Sequence, residues 1–150
     1  MYPIVTREVA RGLIVGSTRF NELEPWAWPP GSTNQRVDVP DACEIGWTWL
    51  AASAQRTGCN TDAKYLMLRH AFETWQVHRV MLKTDVRNAR SRAAVERLGA
   101  TFECVRRAER PGADDTVRDS AYYSIIASEW PAVRTRLESL LASRGGESNP

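Results

Sequence analysis

The sequence predicts one mixed α+β domain built on a central sheet, and three observations carry that prediction. Its 150 residues are 43% hydrophobic and 25% charged, the balance of a globular domain with a real core. Runs with the two-residue alternation of strands interleave with runs of helical period. Their order is strand, strand, strand, helix, strand, helix, strand, strand, helix. The helix between the third and fourth strands is long enough for a crossover, so that pair is expected to be parallel.

Residues 4–9 and 13–20 are β-branched, apolar runs around Ala10, Arg11 and Gly12, and read as a hairpin. Pro25, Pro29, Pro30 and Pro40, with Gly31, Ser32 and Asn34, disfavour ladder pairing between residues 24 and 42. A long loop carrying Trp26 and Trp28 is expected there, a candidate lid. Residues 44–50 alternate bulky with small or polar side chains, a strand that places Glu44, Gly46 and Thr48 on one face. Thr61 is a good N-cap for a helix to about residue 75, with Leu68, Phe72 and Trp75 on one side and Tyr65, Leu66 and Met67 adding a second apolar surface. Residues 79–84 read as a strand and 89–98 as an amphipathic helix closed by Gly99 in a left-handed cap. Two strands follow over 102–107 and 117–126, around a turn at 111–115. Ser128 can cap a last helix over 129–141, and 143–150 form a frayed tail.

Twenty basic and 18 acidic residues give a net charge of only +2, too little for a dedicated nucleic-acid or membrane-surface binder. The excess is local: residues 79–118 hold ten basic and six acidic side chains, which would draw a phosphate-bearing partner. Cys43, Cys59 and Cys104 are an odd number and form no C-x-x-C pair, so neither a disulfide framework nor a zinc knuckle is indicated. A reducing cytoplasm is the expected compartment. No signal-like start and no apolar stretch of about eighteen residues is present, so no membrane is expected. His70 and His78 lack a third ligand at metal spacing, and no metal site is expected.

The junction Gln55-Arg56-Thr57-Gly58-Cys59-Asn60-Thr61 lies where a strand gives way to a helix. Successive N–H groups and the positive end of a helix dipole would suit a pyrophosphate, and Gly58 permits close backbone approach. The same residues also read as a plain strand-to-helix turn.

Gln55-x-x-Gly58-x-Asn60 resembles the Gln/Arg-x-x-Gly-x-Gly/Ala acyl-CoA loop of the GNAT N-acetyltransferase superfamily. Glu44-Ile45-Gly46-Trp47 resembles the strand before that loop, Asn88-x-x-Ser91 the opening of its next helix, and Glu96-Arg97-Leu98-Gly99-Ala100 that helix's end. The run Arg118-Asp119-Ser120-Ala121-Tyr122-Tyr123-Ser124-Ile125 is similar to the final strand of the ribosomal-protein alanine N-acetyltransferase subgroup. The resemblance covers about residues 4–141. It implies a GNAT-type mixed sheet that is N-terminally shortened, since the family's usual strand and two helices precede the hairpin with which this chain opens. Asn60 stands where the family has Gly or Ala, and the loop over 24–42 is longer than usual, which bears on acceptor choice.

By this resemblance the chain would move an acetyl group from acetyl-CoA to a primary amine, on a small molecule or a protein N-terminus, by direct attack. An α-amino group with a pKa of about 7.7–8.0 needs little help to lose its proton, and Glu44 matches the family's base. A strand-end salt bridge is its plainer role. The strand ending at Leu50 and the amide of Asn88 would hold the pantetheine. Gln55, Arg56, Thr57, Gly58, Cys59, Asn60 and Thr61 would surround the pyrophosphate, and Arg56, Arg90 or Arg92 would meet the phosphates. The leaving thiolate would take its proton from Ser91, favoured by motif position, or Tyr123, favoured by phenol acidity. Helix capping and core packing are the plainer roles of these two. Cys59 has no His near it in sequence and reads as a small buried residue. A non-catalytic acyl-CoA-binding or interaction module, or a truncated acyltransferase needing a partner, is the alternative function, and an unpaired edge strand near Val5 would favour a homodimer.

Overall fold

The computed structural model describes residues 4–8 and 12–145. Strands β1 (Ile4–Glu8), β2 (Leu13–Glu24) and β3 (Ala42–Leu50) come first. Helix α1 (Cys59–Arg69) follows and continues as a π turn over His70–Thr74. Strand β4 (Arg79–Asp85), helix α2 (Ala89–Leu98), strands β5 (Thr101–Pro111) and β6 (Val117–Ile126) and helix α3 (Trp130–Gly145) complete the chain. The sheet order is β1-β2-β3-β4-β6-β5, with β3 and β4 parallel and every other pair antiparallel. The expected crossover is therefore present.

Alternation along β4 explains where the core sits. Val80, Leu82 and Thr84 are buried, while Arg79, Met81, Lys83 and Asp85 are only partly so. Val80 pairs with Ile125 and Leu82 with Tyr123, and these side chains meet Met67 and Leu68 of α1, Val95 and Leu98 of α2, and Val133 and Leu137 of α3. All three helices thus cover one face of the sheet. The other face carries Glu44, Lys83 and Tyr122, which lie beside one another across β3, β4 and β6.

The parallel pairing is short. It joins Ala42, Cys43 and Glu44 to Arg79, Val80 and Met81, and then the two strands separate. A bulge in β3 marks the separation: Ser17 pairs with Trp49 but Arg19 with Gly46, so β3 carries one residue more than β2 across this interval. Trp47 takes the strain, with a left-handed φ of 50°. Its ring is held by the Arg19 guanidinium at 4.3 Å and that of Arg110 at 5.8 Å.

This bulge corrects the expected shared face of Glu44, Gly46 and Thr48. Glu44 and Gly46 do lie together, since a Cβ on Gly46 would sit 2.5 Å from Glu44 Oε1. Thr48 is turned to the helix side, where its hydroxyl meets Thr18 and the α1 lysine, Lys64. Other corrections are local. α1 begins at Cys59 with Gly58 at the cap position, so Thr61 is a buried first-turn residue rather than the cap. α3 begins at Trp130; the turn before it closes when Ile126 N–H donates to the Glu129 carboxylate, not through Ser128. That helix runs to Gly145, past the expected start of the tail, and 146–150 lie outside the described residues, as do Val9, Ala10 and Arg11 of the hairpin turn.

The Pro-rich segment, residues 25–41, lines neither of the cavities described below. Asp41, 4% exposed, accepts from Trp26 N–H at 2.7 Å, Trp28 Nε1 at 3.0 Å and Arg36 at 3.1 Å. His78 stacks on Trp26 with 15° between rings. These contacts fasten the loop at the start of β3, whereas the strands part further along. The segment expected as a candidate lid is thus pinned in place and borders neither cavity. Burial pushes the Asp41 carboxyl up, but the bonds from Trp26, Trp28 and Arg36 outweigh it and hold the group below the usual carboxylate range.

Candidate active site

Where β3 and β4 part, a cleft of about 930 Å³ opens, large enough for a cofactor-sized ligand. Ile45, Gly46, Trp47, Thr48 and Leu50 form one wall, and Leu82, Lys83 and Thr84 the other. Its mouth is closed by the loop after β3 and the start of α2, through Gln55, Arg56, Thr57, Asn60, Asn88, Arg90 and Ser91.

The loop is braced from within. Gln55 Nε2 donates to the Leu50 carbonyl at 3.0 Å, while its Oε1 accepts from Arg90 at 2.8 Å, tying the end of β3 to α2 across the mouth. Thr57 donates to the Ala54 carbonyl at 2.7 Å and accepts from Cys59 N–H at 3.2 Å. Arg56 has a left-handed φ of 64°. Asp62 N–H makes the first helical bond, to Gly58 at 2.9 Å, and helix geometry leaves the N–H groups of Asn60 and Thr61 without an intrahelical acceptor. Together with the exposed Arg56 and Arg90, this end of α1 has the donor set and sign of charge that a pyrophosphate requires. The residues present fit a CoA-type cosubstrate.

Next to Ile45 and Gly46 of the cleft wall stands Glu44, 7% exposed. Its Oε2 lies 3.1 Å from Lys83 Nζ, which also reaches Glu22 Oε1 at 2.6 Å. Burial raises the Glu44 pKa, Lys83 offsets part of that rise, and Glu22 adds to it. Lys83 is the converse. Burial opposes its charge, yet Glu22 and Glu44 outweigh that and keep it above the ordinary lysine value. A second cavity, about 370 Å³, adjoins on the face away from the helices and is lined by Glu44, Trp47, Lys83, Glu109, Arg110 and Arg118. It shares Trp47, Lys83 and Arg118 with the cleft, so the two spaces meet beside Glu44.

Among the residues singled out by sequence, Leu50, Gln55, Arg56, Thr57, Asn60, Asn88 and Ser91 line the cleft, and Glu44 lines the adjoining second cavity. Gly58, Cys59 and Thr61 lie in the same turn without lining it, and Cys59, at the start of α1, is only half-buried rather than buried as expected. Asn88 caps α2 by accepting from Ser91 N–H at 2.9 Å. Tyr123 and Arg92 do not line the cleft. Tyr123 is fully buried, accepts from Arg92 Nε at 3.0 Å and donates to Glu96 at 2.9 Å. Sequence reasoning also missed two lysines. Lys83 lies opposite Glu44, a neighbour visible only once β3 and β4 are paired. Lys64 lies on the cleft floor, 5% exposed, and burial lowers its pKa to about 7, though the Glu44 carboxylate favours its charge.

Known proteins share this fold. The "Putative ribosomal N-acetyltransferase YdaF" of Bacillus subtilis (strain 168) is 33% identical over 87 residues, 58% of this chain and 46% of that protein. A GCN5-related N-acetyltransferase from Brucella melitensis superposes with a TM-score of 0.75 at 25% identity, over 91% of this chain and 56% of that one. Mycobacterium smegmatis RimJ, solved in complex with CoA-disulfide, gives 0.69 at 25% identity, over 89% and 57%. The chain spans about half the length of these relatives. Residues 2–101 match the family of the acetyltransferase (GNAT) domain, and the chain belongs to that family.

Proposed function

We propose that this domain transfers an acetyl group from acetyl-CoA to a primary amine, on a small molecule or a protein N-terminus. The observation that carries the reading is the junction of the two cavities. A cleft of cofactor size and a second space lined by the buried Glu44 carboxylate share Trp47, Lys83 and Arg118 as a common wall. Acetyl-CoA, when bound, supplies the activated thioester.

The end of α1 and Arg56 would hold its phosphates, Asn88 and the edge of β3 its pantetheine arm. Glu44 would take a proton from the attacking amine. Its raised pKa brings it closer to that of an α-amino group than an ordinary glutamate would be, which improves it as a base. Lys83 keeps the carboxylate ionised enough to act. The side pocket's alternation of Glu109 with Arg110 and Arg118 suits a polar acceptor bearing an amine.

Thermal unfolding with and without acetyl-CoA tests the cofactor half. Saturation at about 100 times Kd adds about 2.7 kcal/mol. Glu44→Gln should keep that rise and lower amine acetylation by about 10²- to 10⁴-fold. Equal rates for the variant and the parent, or no rise with acetyl-CoA, would defeat the proposal.

A further inference from the structure

We infer that Lys64 protonates the departing CoA thiolate, entering the cleft from the face opposite Glu44. The inference rests on the acyl-transfer reading above. Because of the bulge at Trp47, residues 44–48 of β3 present Glu44 to one side of the sheet and Thr48 to the other. Lys64 Nζ donates to the Thr48 hydroxyl at 2.6 Å and to that of Thr18 at 2.9 Å, and Thr18 in turn donates to the Gly46 carbonyl. A base and a cation thus flank one short stretch of the cleft wall from opposite sides. Direct attack is served by this division, since the group that takes the amine proton and the group that gives one to sulfur act on different substituents of the tetrahedral carbon.

The charge around Lys64 points the same way. An ammonium carries three N–H donors, and two are used by the threonines. Among the described residues no third acceptor is in place, and no carboxylate lies within ion-pair distance. Its surroundings supply no nearer anion. β2 offers the neutral Thr18, and β3 offers Thr48 and the more distant Glu44. On β4, Lys83 is tied to Glu22 and Glu44, and on α2 Arg90 is held by Gln55. Asp62 and Arg69 of α1 itself face solvent. A buried cation without a partner is destabilised until an anion arrives, and a nascent thiolate is such an anion.

The proton balance closes. The amine nitrogen bonds to the carbonyl carbon and gives a proton to Glu44; the C–S bond breaks with its electron pair on sulfur; Lys64 passes one N–H proton to that sulfur. Amide and CoA thiol result, and exchange with water returns a proton from Glu44 to Lys64. With a pKa of about 7, Lys64 is a stronger acid than a thiol at about 8.5, so the transfer runs downhill. Tyr123 cannot compete while its hydroxyl donates to Glu96.

The test uses free CoA as probe. Its bound thiolate is followed by ultraviolet absorbance across pH in the parent chain, Lys64→Met and Lys64→Arg, with a thermal shift on CoA confirming binding in each. A cation within about 4–6 Å lowers the thiol pKa by about one unit, and with about half of Lys64 charged at pH 7 the parent should hold about fivefold more bound thiolate there than Lys64→Met. Lys64→Arg, which keeps a cation, should restore the signal. Equal thiolate in parent and Lys64→Met, both binding CoA, would overturn the role of Lys64 alone. Failure of the parent to bind CoA would overturn the acyl-transfer reading and this inference with it. Should Lys64→Met not fold, loss of the thiolate signal when the parent is compared with Lys64→Gln decides the matter in the same way.

Discussion

Replacing Lys64 with Met should make the protein more stable at pH 6 and give no advantage near pH 10. The side chain is 5% exposed and its Nζ touches two hydroxyls, and burial takes its pKa from 10.5 to about 7. At about 1.4 kcal/mol per pH unit, that fall is worth about 5 kcal/mol against the folded state below pH 7. Met fills a similar volume without charge. The Thr18 and Thr48 hydroxyls, 3.1 Å apart, bond to each other, so the lost lysine bonds cost about 1 kcal/mol. Allowing for relaxation and water near the buried charge, a net gain of about 2–4 kcal/mol at pH 6 is expected, or roughly 5–15 °C in Tm. The sign follows from the protons bound. Between about pH 7 and 10.5 the unfolded chain holds a proton on Lys64 that the folded chain has released, so parent stability climbs with pH there. Lys64→Met lacks that climb. Urea unfolding at pH 6 and pH 9.5 reads both ends: the variant's midpoint should lie higher at pH 6 and converge with the parent's by pH 9.5. A variant less stable by the same margin at both pH values would refute the reasoning, because the ammonium would then be compensated in the fold.

Two further perturbations probe other parts of the site and its frame. Gly46→Ala places a Cβ 2.5 Å from Glu44 Oε1 and 3.3 Å from Asn21 Nδ2, so the carboxylate must swing away. Stability should drop by about 1–3 kcal/mol, and acetyl transfer should fall far more than CoA affinity; unchanged transfer would mean that the position of Glu44 is immaterial. Asp41→Asn should release the Trp26 and Trp28 loop at a cost of about 2–3 kcal/mol, seen as a red shift of tryptophan emission. Since the folded Asp41 pKa lies below 3.8, its contribution is present above about pH 3.8 and lost as pH falls through the lower folded value. Release of the loop in the parent at pH 5 would contradict the clamp.

Most of the architecture was legible because local signals agreed with the fold. Alternation in β4, the absence of Gly and Pro from α1, Asn88 before α2 and Gly99 after it each mark an element the structure contains. Gly99 takes φ 96° and its N–H meets the Glu96 carbonyl, as its place after the helix implied. Errors fell where tertiary contacts overrode local preference. Proline does break the ladder after Glu24, but composition could not reveal that Asp41, seventeen residues on, would gather two tryptophan N–H groups and an arginine and so fix the loop away from the cleft. Thr61 has the chemistry of a cap, yet the chain turns into the helix two residues earlier and buries it.

The site divides along the same line. Motif residues around the mouth of the cleft were readable because they follow one another in sequence: a strand, a tight loop and a helix start make an anion site from consecutive N–H groups. The roles of Glu44, Tyr123 and Lys64 depend instead on which face each side chain meets. One inserted residue in β3 sends Thr48, and with it the partner of Lys64, to the side opposite Glu44. No periodicity reveals such a bulge, because Trp47 in a left-handed conformation is contrary to its own preference and is held there by Arg19 and Arg110 from other strands. The pairing of β3 with β4 ends just before the insertion, at Glu44, and the cleft opens there. The insertion sets Glu44 and the Thr48 partner of Lys64 on opposite sides of the sheet. Restoring regular pairing in β3 would return Thr48 to the face of Glu44 and take that hydroxyl from Lys64.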